Sequence, residues 1–446
     1  MLASIGLLGL VFGVAPAAGQ PLFQAPAARP TDRPDPEGDA YNAPEAPASP
    51  ACTAHFCVHW VARGSDAPNP SDNDENGIPD FVDRVEAVAE HVYAVENGLM
   101  GWRKPKCDRA KGGSWCRTDV YLKDVHGALF GYEAPDPNQA RPGRRFPRRL
   151  YGYLVLDNDY SRREFRGTSQ QRALEVTFAH EYCHILQLGY DAYQDDWFAE
   201  SSAVWMEDQV YGGVNDYLRY VRRWVRPTGV PITSRSIKEY GSAVWNKWLA
   251  ARYGTSIVRS AWARAVHTRP GGFAVAAYDS AIRGAGSSDF ARDFARFAAD
   301  LPEWRTDAVF PEGHAYPDVA RRGRLATDGR AVQRRLDHTT FQLLRLRPRR
   351  GRALVLEVKV PRGIAFGAAL VGRLGSERRG RVVKAFRFRR HGGTLRLRLR
   401  RPGRFARVTA VLVNADAAEA GFGARRLDWR YLADRAPFRA SARLVR

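Results

Sequence analysis

Apolar residues three and four apart dominate residues 51–325 and predict helices: FVDRVEAVAEHVYAVENGL from Phe81, ALEVTFAHEYCHILQL from Ala173, AVWMEDQVYGGVNDYLRYVRRWV from Ala203 and SAVWNKWLAARYG from Ser242. Two short stretches, CRTDVYLKDV from Cys116 and LYGYLVLDND from Leu150, predict strands ahead of the second of these helices. That order predicts an α+β domain, a small sheet packed against helices, over residues 51–330. From about residue 335 the period changes to two, in TFQLLRLRP, ALVLEVKV, KAFRFRR, TLRLRLR and ARVTAVLVNAD, with Gly and Pro between the runs. Residues 335–446 are therefore expected to form a β-sandwich-like domain. No repeat of fixed period interrupts this division.

The N-terminus departs from both patterns. MLASIGLLGLVFGVAPAAGQ has the apolar run and A-x-A site of a secretory signal peptide, expected over residues 1–19, although no Lys or Arg precedes the run. Residues 20–50, rich in Pro, Ala and acidic side chains, have little to bury and are expected to be a disordered leader. The chain is thus expected to be secreted and extracellular, with no transmembrane segment after signal removal. In that setting Cys52, Cys57, Cys107 and Cys116 can form two disulfides. Three pairings are possible, and the spacing favours Cys52 with Cys57 and Cys107 with Cys116. Cys183 is left over, and a buried helix Cys packing as a small hydrophobe is the expected role.

The formal net charge of +21 comes from 69 Lys and Arg against 48 Asp and Glu, with Arg densest after residue 320. Such an excess either marks an anionic partner or reflects a compositional bias toward Arg. The alternation in KAFRFRR and TLRLRLR sets Phe386, Phe388, Leu395, Leu397 and Leu399 against Arg387, Arg389, Arg396, Arg398 and Arg400. If the two strands pair, the Arg form one cationic surface suited to an anionic cell-wall polymer; a specific nucleic acid is not expected.

Within the helix from Ala173, His180, Glu181 and His184 make the pattern H-E-x-x-H. Four residues apart on a helix, the two imidazoles project from one face and can meet one ion, with Glu181 beside its open side. A catalytic zinc ion takes three protein ligands and one water, and the water needs a base. A third ligand from the same helix would require H-E-x-x-H-x-x-G-x-x-H, but Gln187 and Tyr190 stand where Gly and His are needed. Glu200, on the next helix after the turn-rich linker GYDAYQDD, fits instead. Glu207 or Asp208, further along that helix, could support a ligand His.

HEYCHILQ followed by WFAESSAVWMED resembles the gluzincin metallopeptidases, with Trp197, Phe198 and Glu200 at the positions of their third-ligand motif. Together with NPSDNDENGIPDFVDRV, LDNDY and YGSAVW, the stretch is similar to a family of secreted bacterial metallopeptidases, over about residues 55–250. The resemblance implies a mostly helical zincin-like catalytic domain, zinc on His180, His184 and Glu200, and Glu181 as general base. It also implies a second oxyanion donor, for which Tyr240 in KEYGSAVW is the candidate. Cys183 inside the motif and Ser201 in place of Gly are departures that leave the ligands intact. The G-x-M-E-N sequence of true aminopeptidases of this group is absent, so endopeptidase action on a protein or peptide substrate is expected. The alternative is a catalytically inactive, metal-stabilised surface- or polyanion-binding protein.

Upstream, DNDENGIPDFVD at residues 72–83 follows the order of an EF-hand calcium loop. Asp72, Asp74 and Asn76 take the first three ligand positions, Gly77 the sharp turn, the Ile78 carbonyl the next position, then Asp80 and Asp83. Pro in the preceding RGSDAPNPS forbids an entering helix, so a lone structural calcium loop with an exit helix is expected.

Overall fold

The computed structural model describes residues 29–32, 40–42, 45, 47–113, 115–125, 129–136, 139, 147–235, 238–267, 272–306, 309–347, 350–375, 381–417 and 434–445. The expected signal peptide at 1–19 lies outside them. The architecture is α+β, as the patterning predicts, in two compact units: Met1–Gln194 with Met206–Asp216, and Asp195–Trp205 with Tyr217–Arg446.

The first unit contains β1 (Ala51–Cys52), β2 (Phe56–His59), α1 (Asp80–Tyr93), β3 (Thr118–Lys123), β4 (Gly131–Pro135), β5 (Gly152–Asp157) and α2 (Gln170–Asp191). Its sheet has the order β1-β2-β3-β5-β4, with β2, β3 and β5 parallel. Strands β3 and β5 are buried along almost their whole length, which fits the consecutive apolar residues Val120–Leu122 and Tyr153–Leu156 at their centres. Helix α2 starts at Ser169, whose side chain accepts the Arg172 N–H at 3.3 Å. Phe178 and Tyr182 of α2 meet Phe56 of β2 edge-on, with ring centroids 5.4 and 5.1 Å away. The disulfides are Cys52–Cys57 and Cys107–Cys116, and Cys183 is a buried free thiol.

The expected disorder of residues 20–50 does not extend to Arg29 or Tyr41, which are buried. The Arg29 guanidinium donates to Asp136 through Nε and Nη2 at 2.9 and 2.7 Å, to Asp108 at 2.7 Å, and to Asp119. Composition hid this, because one Arg in a Pro-rich stretch buries charge through partners that lie far along the chain. Pro47 also bridges to Val61.

One helix is divided between the units: α3 (Asp196–Val210). The second unit continues with α4 (Leu218–Trp224), α5 (Lys238–Gly241), α6 (Ala243–Tyr253), α7 (Ser256–Arg264), α8 (Ala274–Ala285) and α9 (Phe290–Asp300). Its strands are β6 (Arg321–Arg324), β7 (Asp328–Leu336), β8 (Thr340–Leu346), β9 (Ala353–Val360), β10 (Phe366–Leu374), β11 (Val382–Arg389), β12 (Gly393–Arg400), β13 (Phe405–Asn414) and β14 (Ala436–Val445). They form two facing sheets, ordered β11-β10-β13-β8-β6 and β12-β9-β14-β7. The first of these strands begins at Arg321, ahead of the expected start at 335.

The sandwich shares its unit with helices because the five-stranded sheet buries both faces. Leu344, Phe366, Ala368, Leu370 and Leu412 meet the partner sheet. On the other face Gly367 lies against α9, where a Cβ would stand 2.6 Å from Cβ of Ala295. Strand β10 is accordingly buried over seven consecutive residues, whereas β12 alternates. Buried Glu303, just after α9, takes two parallel hydrogen bonds of 2.9 Å from Arg407 of β13, with Arg321 and Arg373 within 3.5 and 3.7 Å.

The single cationic surface expected from KAFRFRR and TLRLRLR does not form, because β11 and β12 belong to different sheets. Arg387 and Arg389 pair with Ala368 and Phe366 on the side of β10 that faces the sandwich interior, at its edge. Arg396, Arg398 and Arg400 point out of the other sheet. Alternation fixes which residues share a face of one strand and leaves open which strand lies beside it.

Removing the Arg29 side chain would strip Asp108, Asp119 and Asp136 of the cation they share, with Lys111 Nζ 3.6 Å from Asp136 still present. An Arg29→Ala variant should unfold in urea with a loss of about 3–5 kcal/mol, the usual scale for breaking a buried ion pair; an unchanged midpoint would mean that Arg29 contributes nothing to the fold.

Candidate metal centre

Every residue from Val176 to Asp191 is buried except Glu181, which is half-buried. The helix is therefore held on all sides, and the rings of His180 and His184 have little freedom. Their Nε2 atoms lie 3.0 Å apart, with ring centroids at 4.7 Å and planes at 81°. Each Nδ1 is engaged on the far side. His180 Nδ1 is 2.7 Å from Oε1 of Glu207, and His184 Nδ1 is 2.8 Å from Oε1 of Gln187. Both partners are oxygen acceptors, so both imidazoles carry their proton on Nδ1 when neutral. The two Nε2 atoms are thereby turned toward each other. Nitrogens so placed could hold one metal ion together.

Glu200 completes the group. Ligand atoms of His180, His184 and Glu200 all lie within 4.8 Å of one another, the imidazoles buried and the carboxylate half-buried. Glu200 and Glu207 are seven residues apart on α3, two turns, so one helix face carries both. Two imidazoles and one carboxylate form the donor set of a catalytic zinc site. Ligand nitrogens at tetrahedral corners around zinc lie about 3.3 Å apart, close to the separation of the two Nε2 atoms. The residues present fit the ion. Of the two carboxylates considered as support for a ligand His, Glu207 meets His180, while Asp208 accepts from Gln209 at 3.4 Å.

Two neighbours escape the sequence reading. Gln187, which rules out the one-helix ligand pattern, orients His184 and donates to Sγ of Cys183 at 3.3 Å. Glu96 lies in a π-helical turn, Ala94–Leu99, that continues α1. It is fully buried, and neither carboxyl oxygen has a hydrogen-bond partner among the described residues. Burial pushes its carboxyl well above the ordinary range, with His180 pulling in the other direction. The helical spacing of Gln187 from His184 was a usable signal; nothing in the local sequence marks Glu96.

The 72–83 loop is exposed at residues 73–77 and runs into α1 at Asp80, with Asp72, Asp80 and Asp83 half-buried. Asp72 accepts the Asn76 and Gly77 N–H groups at 3.1 and 2.9 Å, and Gly77 takes φ +84°, the left-handed region that Gly tolerates. Oxygens of Asp74, Asp80 and Asp83 lie within 4.8 Å of one another, while Asn76 Nδ2 faces Asp83 at 3.4 Å. The Asp83 carboxyl is raised by partial burial and by the charges of Asp74, Asp72 and Asp80. This acidic group suits a hard cation.

Tyr240 lies on α5, half-buried, with its ring stacked on Tyr220 at 5.0 Å.

No family model matches the chain, and no curated protein matches it. Among solved structures, it is similar to the pre-peptidase C-terminal domain of collagenase from Bacillus anthracis at 8% identity and a TM-score of 0.19, covering 28% of this chain and 97% of that one. A likeness that slight bears on neither fold nor function. No helix among the described residues is long and apolar enough to cross a membrane.

A carboxylate behind a ligand imidazole fixes its tautomer and raises its basicity. Glu207→Ala should therefore weaken zinc binding about 10–100-fold in a chelator competition, and Asp208→Ala should leave it unchanged. Equal affinities for wild type and Glu207→Ala would remove Glu207 from the centre.

Proposed function

We propose that the chain is an exported zinc metallopeptidase that cleaves internal peptide bonds, with His180, His184 and Glu200 as ligands and Glu181 as general base. The observation that carries this reading is the 3.0 Å opposition of the His180 and His184 Nε2 atoms while both Nδ1 atoms face acceptors. When bound, zinc supplies Lewis acidity, polarising a scissile carbonyl and making a water acidic enough to lose its proton near neutral pH. Glu181, the half-buried residue in a buried stretch, takes that proton and passes it to the leaving amine. Glu207 and Gln187 hold the imidazoles in the tautomer that turns Nε2 toward the ion. Tyr240 is the candidate second donor to the oxyanion, on its sequence pattern alone. Export is supported by the N-terminal apolar run and the two disulfides.

Glu181→Gln should keep a full equivalent of zinc and lose at least about a hundredfold of hydrolysis of an unfolded protein, the scale of a lost general base. Glu200→Ala should lose zinc itself on dialysis. Unchanged turnover in zinc-loaded Glu181→Gln would sink the assignment, and zinc-loaded wild type without turnover would favour the inactive binding protein.

We assign calcium to the 72–83 loop, where Asp74→Ala should remove one equivalent of bound calcium. A surface role is favoured by one further observation. The outer face of the four-stranded sheet exposes Arg396, Arg398, Arg400, Lys359, Arg439 and Arg443 beside the acidic Glu357 and Asp328. The full chain should sediment with an anionic cell-wall polymer at low salt and release it at moderate salt, and Arg396, Arg398 and Arg400 changed to Gln should abolish this. Equal binding by both proteins would exclude the face.

A further inference from the structure

LDNDY, at residues 156–160, enters neither the zinc centre nor the 72–83 loop, yet it gathers a third acidic group. Oxygens of Asp124, Asp157 and Glu164 lie within 4.8 Å of one another. Asp157 ends β5 and pairs with Lys123 of the parallel neighbour β3, so Asp124 follows at the same end of the two strands. Glu164 comes from the loop that leads into α2, where Ser161 Oγ donates to it at 2.6 Å.

An acidic group alone proves little, but the Asp157 side chain adds an independent observation. It is fully buried, and its Oδ1 accepts the Asp159 and Tyr160 N–H groups at 3.1 and 2.5 Å. Its Oδ2 is buried as well and has no hydrogen-bond partner among the described residues. Such an oxygen costs the fold free energy unless something positive meets it. Burial, with the charges of Asp159 and Glu164, pushes the carboxyl up to about 7. A cation held by Oδ2 and the two neighbouring carboxylates answers both the orphaned oxygen and the repulsion. The donors are all oxygen, the set of a hard ion, and calcium accepts irregular geometry completed by backbone carbonyls and water.

We propose that Asp124, Asp157 and Glu164 bind a second calcium ion, separate from the 72–83 loop and from the zinc centre. Its position gives it a consequence. Asn158 Nδ2 donates to the Ser65 and Ala67 carbonyls at 2.8 and 2.9 Å, and the Asp159 carbonyl accepts from Gln170 Nε2 at 2.5 Å. An ion here fastens two strand ends and the residue 65–67 loop to the first turn of α2, the helix that carries His180 and His184.

The test is calcium titration of the full chain by calorimetry, for the wild type and for Glu164→Gln, Asp157→Asn and Asp74→Ala. Two equivalents are expected in the wild type, one in each single variant, and none in Glu164→Gln combined with Asp74→Ala. Glu164 is exposed, so its Gln variant should fold normally and decides the matter if Asp157→Asn does not fold. A single wild-type equivalent that is lost in Glu164→Gln and kept in Asp74→Ala supports this site and removes calcium from the 72–83 loop. Unchanged stoichiometry and affinity in Glu164→Gln overturns the site, as does a wild type that binds no calcium.

Discussion

Two imidazole nitrogens stand 3.0 Å apart, and the surrounding residues act to keep them there. Left alone, His180 and His184 would rotate apart or exchange tautomers. Glu207 and Gln187 prevent this by occupying Nδ1 of each ring, and α2 prevents it by being buried on nearly every side. Hydrogen bonds and packing around the site thus hold the two rings turned toward each other. Helix α3 serves the same constraint by placing Glu207 behind the first imidazole.

Elsewhere the protein buries charge in compact, paired groups. Arg29 meets three aspartates in the first unit, and Glu303 meets Arg407 with Arg321 and Arg373 nearby in the second. Both are structural crosslinks whose members are costly singly and acceptable together. The acidic groups at residues 72–83 and at Asp124, Asp157 and Glu164 differ from these, because each gathers carboxylate oxygens within 4.8 Å of one another. Like charges that close repel one another and suit a hard cation.

The basic excess is also resolved by position. Some Arg residues, such as Arg407, tie the sandwich to Glu303, and others, such as Arg396 and Arg398, line an exposed sheet face. Net charge counted them alike. Only the division of β11 and β12 between two sheets shows that five alternating Arg make two surfaces.

What the sequence determined by itself was whatever spans one turn of helix or one short loop. His180 and His184 share a face because the α-helical period puts residues four apart together, and the disulfides close loops of sequence separation 5 and 9. The shift from helical to alternating periods likewise announced the sandwich. Tertiary structure decided everything that depends on how elements turn toward one another: Glu207 rather than Asp208 behind His180, Gln187 as a holder of His184, and the burial of Arg29 among aspartates 79 to 107 residues away. It also determined which strands became neighbours. A backbone period fixes neighbours within an element; rotation and packing between elements have no such period, so their partners appear only when the chain is folded.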